Sequence, residues 1–168
     1  MKPELKYGLI AGAGVCLWIL TEFLLGFHTT HVEVGEYTGY FSGLIPLTTL
    51  YLLLKNRRDT SPGGQLSVGA GQKSGLSASC TAALVISCFL LVYNQFINPG
   101  CVDLMLDRKV AQMRAAGLAE VDIRAQIKFL RQLSSPLGQV ITTILMSLVM
   151  GAISSAGLTL LLRRRPRW

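Results

Sequence analysis

Apolar residues in this chain gather into four long blocks, at residues 8–27, 37–54, 74–97 and 137–162, separated by polar segments. A hydrocarbon core roughly 30 Å thick needs about 20 mostly apolar helical residues to cross it. Each block must be helical, because an open strand would leave backbone donors and acceptors unpaired in lipid. The two-residue alternation of a membrane barrel strand is missing. The pattern predicts an all-α integral membrane protein, a single membrane domain over residues 1–168 with four transmembrane helices. Lys2 and Lys6 precede the first block as they would in a cleaved leader. Its apolar run exceeds the usual 7–15 residues of such leaders, so it reads as a retained helix.

The segments between the blocks carry their own signals. Residues 55–73 form a loop with the turn sequence Thr60-Ser61-Pro62-Gly63-Gly64. Leu66, Val68 and Ala70 then suggest a short interfacial element before the third span. The glycines here lack the Walker spacing and a preceding strand, so no phosphate loop is read. In residues 98–136, Leu104, Leu106, Val110 and Met113 recur at helical spacing, Gly117 reads as a stop, and Ile123, Ile127, Leu130 and Leu133 repeat the pattern. This predicts an amphipathic helical hairpin whose apolar stripe packs on itself, on the membrane or on a partner.

Charge sets the orientation. With both termini in the cytoplasm, Lys2, Lys6, Lys55, Arg57, Arg58, Lys73, Arg163, Arg164, Arg165 and Arg167 share one face with only Glu4 and Asp59. The loop from His28 to Glu36 holds no Lys or Arg, as an outer loop should. The hairpin is then outside and the 55–73 loop cytoplasmic. A net charge of +7 could suggest nucleic acid, but the cations sit just beyond helix ends and the Arg-rich tail has no interleaved aromatics. The tail reads as an anchor to anionic lipid. Composition agrees: 51% of residues are apolar, 15% are charged, and the mean hydropathy is +0.46.

Several short motifs together resemble a known family. They are Lys6-Tyr7-Gly8-Leu9-Ile10-Ala11-Gly12, Gly26-Phe27-His28, Gly35-Glu36-Tyr37-Thr38-Gly39-Tyr40, Lys55-Asn56-Arg57-Arg58-Asp59, Lys73-Ser74-Gly75-Leu76 and Asn98-Pro99. The chain resembles, over nearly its whole length, an uncharacterised bacterial family of small four-helix inner-membrane proteins, a domain of unknown function. The resemblance implies a bacterial inner membrane. It brings no activity, cofactor or catalytic residue.

Few polar groups lie where a membrane makes them costly. Glu22 is the one acid in the first block, and intramembrane ionisable groups often mark ion or proton paths. Asn94 and Gln95 are expected at similar depth, so the three form a candidate polar site. His28, His31, Glu33 and Glu36 form a candidate cluster in the outer loop. A metal site there lacks a third His or a Cys pair, so no metal is expected; a pH-sensitive cluster is the other reading. Cys16, Cys80 and Cys88 read as packing residues, and Cys101 as a free outer thiol. Glycines and serines at four-residue spacing, such as Gly8 and Gly12 or Ser147, Gly151 and Ser155, suit close helix packing. Pro46 is expected to kink the second span.

No nucleophile–base constellation is present, so an enzyme is not expected and no cofactor is implied. The reading is a structural or accessory membrane protein of unknown activity that presents its outer hairpin. Its partners would be membrane lipids, an envelope protein or further copies of itself. The alternative is an oligomeric ion or proton-coupled transporter or channel using Glu22.

Overall fold

The computed structural model describes residues 1–163, the side chain of Glu36 excepted, so the basic tail beyond Arg163 lies outside the described residues. Among the described residues all regular structure is helical. Helix α1 (Pro3–Leu24) opens with proline, whose missing N–H would have been unpaired in the first turn anyway. It closes at Gly26, with φ +77°. The Gly26 N–H donates to the Phe23 carbonyl at 3.0 Å and the Phe27 N–H to the Glu22 carbonyl at 2.9 Å. That pair of bonds is the Schellman closure, and it turns the chain back over the helix end before residue 27 is reached.

The second apolar block is not one helix. It divides into α2 (Val32–Thr38), a 3₁₀ stretch Gly39–Gly43, and α3 (Leu44–Thr60). Pro46 lies in the first turn of α3, where its ring would meet the carbonyl four residues back, and the chain before it is wound as 3₁₀. The expected kink is therefore a change of winding at a helix start.

Helix α4 (Val68–Val92) begins six residues earlier than expected, because the Ser67 hydroxyl caps it by accepting from the Ala70 N–H at 3.2 Å. The expected interfacial element is thus the first turn of α4. The helix runs on into a π-turn, Tyr93–Ile97. Helices α5 (Cys101–Ala115) and α6 (Glu120–Leu133) follow, then α7 (Pro136–Leu162), capped by the Ser135 hydroxyl.

Helices α1, α4 (through Ile97) and α7 are long and apolar enough to cross a membrane. Helix α3 is not among them: it has 17 residues and ends in Lys55-Asn56-Arg57-Arg58-Asp59. It is nevertheless well packed, with Leu53 and Leu54 fully buried beside Leu50, Leu66, Ala78 and Leu162. Outward faces carry exposed apolar residues, among them Leu17, Leu84, Met146 and Leu161.

The centre of the bundle is α4, which packs along α1 on one side and α7 on the other. Its small residues make both contacts close. A methyl on Gly8 of α1 would stand 2.6 Å from the Ala78 carbonyl oxygen, and one on Gly12 would stand 2.7 Å from Val85. On the other side Gly71 and Gly75 meet Thr159 and Ser155, and Gly151 meets Ser79. Backbones that approach this closely gain dispersion contacts that bulkier side chains would prevent. A polar link supports the α4–α7 seam: the Ser155 hydroxyl donates to Gln72 Oε1 at 2.9 Å, and Gln72 Nε2 donates to the Ala152 carbonyl.

Helices α5 and α6 pack on each other. Gly117 (φ +76°) repeats the Schellman closure, its N–H reaching the Arg114 carbonyl and that of Leu118 the Met113 carbonyl. Arg114 meets Glu120 at 2.7 Å across the turn, and Arg131 meets Asp103 at 3.2 Å at the base. Cys101, Leu106 and Ile123 are the buried apolar positions, while Leu104, Val110, Met113, Ile127, Leu130 and Leu133 are half-buried.

Candidate functional site: a polar cluster at each end of the bundle

The first cluster lies where α1 ends and α4 passes into its π-turn. The Gly26 reversal carries His28 back beside the last turn of α1, where its Nε2 stands 3.5 Å from Glu22 Oε2. Its Nδ1 lies 2.7 Å from the Tyr93 hydroxyl. Asn98 Nδ2 donates to that hydroxyl and to the His28 carbonyl, each at 3.4 Å. Glu22 is only 3% exposed and Tyr93 only 2%. Rings seal the cluster: Phe23 and His28 stand edge-on to Tyr93, and Phe89 lies tilted against it, all at centroid distances under 6 Å.

Burial pushes His28 below its ordinary value of 6.5; Glu22, which pulls the other way by charge and by hydrogen bonding, does not reverse the shift. A neutral imidazole has one acceptor and one donor. We assign the acceptor to Nδ1, facing the Tyr93 O–H, and the donor to Nε2, facing Glu22. The result is a polar chain Asn98–Tyr93–His28–Glu22 that ties α1 to α4. It ends on Glu22 Oε1, which is buried without a hydrogen-bond partner among the described residues.

Asn94 and Gln95 do not join it. They line a separate cleft of about 370 Å³ with Val102, Ser134 and Gln139. The register explains the difference. The buried face of α4 runs through Gly71, Gly75, Ala78 and Ala82, and steps of three and four continue it to Phe89 and Tyr93. Asn94 and Gln95 are one and two residues further round the helix. That stripe was the signal for Tyr93. Asn98 carried no comparable signal.

Among the described residues, the expected outer-loop cluster does not come together. His28 turns inward, His31 is exposed, and Glu33 reaches Arg108 of α5 at 3.6 Å. Glu36's side chain lies outside the described residues. Among the described residues, no three His, Cys, Asp or Glu side chains come close enough to hold a metal ion. The four cysteines are free, and Cys101, expected as an accessible thiol, is buried; that burial raises its pKa.

A second cluster closes the opposite end, and long-range pairing hid it from the sequence. Glu4 Oε1 of α1 meets Arg57 Nη2 of α3 at 2.7 Å and accepts from the Ser74 hydroxyl of α4 at 2.9 Å. Arg57 Nε donates to the Ser74 oxygen at 3.2 Å. Three helices are thus joined through one triangle of hydrogen bonds, with Glu4 and Ser74 buried. It also fixes the direction of the helices: the end of α3 lies beside the starts of α1 and α4.

The architecture is that of a helical protein with membrane-crossing capacity and a polar latch at each end. Over residues 6–164 the chain matches a family described as protein of unknown function (DUF4199), and it belongs to that family. Neither curated proteins nor solved structures give a match.

Proposed function

We propose that this chain is a four-pass inner-membrane protein of bacterial type that acts as a structural or accessory scaffold, not as an enzyme. In this reading the 3₁₀ stretch and α3 make the fourth pass, both termini are cytoplasmic, and α5–α6 form an outer hairpin offered to an envelope partner. The observation that carries it is the way α5 and α6 are held. Exposed ion pairs join them at the turn, Arg114–Glu120, and at the base, Arg131–Asp103, and Arg108 of α5 reaches Glu33 of α2. Leu106 and Ile123 are buried in α5 and α6, which pack on each other. Val121 (77% exposed) and Phe129 (60%) are left on the outside. Exposed apolar side chains on a paired helical surface suit recognition of a partner.

A photo-reactive side chain at Phe129, activated in native membranes, should give one discrete protein adduct that Val121→Asp abolishes. Adducts to lipid alone would overturn the reading. The transport alternative has less behind it. Glu22 is enclosed by Phe23, His28 and Tyr93, and it lines neither the cleft beside Asn94 nor the one beside Arg57.

A further inference from the structure

The Glu4–Arg57–Ser74 triangle forms one wall of a cleft of about 450 Å³ between α1, α3 and α4, whose rim adds Lys2, Lys73 and Ser77. Charge in this cleft is unbalanced. Glu4 is committed to Arg57 and Ser74. Lys2 and Lys73 have no ion-pair partner among the described residues. Arg57 is held rigid by two of its nitrogens while its side chain stays 45% exposed. A fixed guanidinium that shares a cleft with two unpaired ammonium groups and the Ser77 hydroxyl suits the oxygens of a phosphate.

The surface leading from the cleft indicates what carries that phosphate. Lys73 and Ser77 begin an outward stripe on α4 that continues at helical spacing through Cys80, Leu84 and Cys88 to Val92. Leu84 is 53% exposed and Val92 50% exposed. A polar head in the cleft would therefore lie directly above a long apolar track on a membrane-crossing helix. Free phosphate has no use for such a track, whereas an acyl chain does.

We propose that this cleft is a specific site for the phosphate headgroup of an anionic phospholipid, with the acyl chains lying along the Ser77–Val92 face of α4. The proposal rests on the membrane reading above. Purified full-length protein in neutral detergent can be titrated with phosphatidylglycerol, phosphatidylcholine or inorganic phosphate, with native mass spectrometry counting bound lipid and thermal melting reporting stability. Phosphatidylglycerol should form a persistent adduct and raise Tm, and phosphatidylcholine should do neither. Lys2→Gln with Lys73→Gln, both exposed and outside the triangle, should weaken the adduct by roughly tenfold or more. Lys55→Gln, at the same end but outside the cleft, should leave it unchanged. Equal binding of the two lipids, an adduct indifferent to the double variant, or equal stabilisation by inorganic phosphate would each overturn the proposal. Retention of the chain in carbonate-washed membranes tests the membrane reading separately, so loss of lipid selectivity in a retained protein counts against the headgroup site alone.

Discussion

The Tyr93 hydroxyl and His28 Nδ1 stand 2.7 Å apart although 65 positions separate them in the chain. It joins the turn that follows α1 to the π-turn of α4, with Tyr93 buried and His28 half-buried. Tyr93→Phe would keep the ring contacts with Phe23 and Phe89 but strand the imidazole acceptor. For a half-buried acceptor left without a donor, the cost is at most about 1–3 kcal/mol. The Tm of Tyr93→Phe in detergent should fall accordingly, and an unchanged Tm would show that water replaces the hydroxyl.

The state of His28 makes stability depend on pH. Burial lowers its folded value below 6.5, so on acidification the unfolded chain binds the proton first. Stability is then complete above 6.5 and declines as the pH falls through 6.5 toward the folded value. Melting temperatures measured from pH 8 to pH 5 should drop on the acid side, and His28→Gln should flatten that slope. A Tm that rises on acidification would mean that the Glu22 charge outweighs burial.

Glu22 can be separated from its charge. Glu22→Gln keeps an oxygen for the His28 Nε2–H, whereas Glu22→Leu removes it and leaves a half-buried donor unpaired. The leucine variant should lose about 1–3 kcal/mol and the glutamine variant much less. Proton flux in proteoliposomes is the companion measurement: the scaffold reading expects no flux from the parent, and flux abolished by Glu22→Gln would restore the transport alternative.

Cysteine chemistry tests the orientation. Cys101 is buried and its thiol pKa is raised, so it is a poor target for a membrane-impermeant maleimide even if α5 is outside. Ala125 on α6 is exposed. In a cysteine-free background, Ala125→Cys should be labelled in intact cells. Labelling only after permeabilisation would invert the topology.

What the sequence revealed follows from the range of each interaction. Apolar block length is local, so the helical class and the crossing capacity of α1, α4 and α7 were legible, as were the α5–α6 boundaries around Gly117. A single glycine does not by itself announce the left-handed turn at Gly26, and without that turn His28 reads as a loop residue. Side-chain polarity points to Asn94 and Gln95, whereas the helical register of the buried stripe points to Tyr93. The Glu4–Arg57–Ser74 triangle joins residues up to 70 positions apart, and no local pattern encodes such a pairing.

The glycine seam between α4 and α7 gives the sharpest contrast. A methyl added at Gly71 would run into Thr159, which is fully buried and cannot move aside, and one at Gly151 would run into Ser79. Overpacking of this kind costs typically about 1–3 kcal/mol. Gly157 lies on the same helix as Gly151, yet nothing stands within 4 Å of the methyl it would gain. There alanine relieves the conformational cost of glycine within a helix, worth roughly 0.5–1 kcal/mol. Gly71→Ala and Gly151→Ala should therefore lower Tm, while Gly157→Ala should hold or raise it. If all three variants melted alike, α4 and α7 would not be in the close contact that the rest of the bundle is built around.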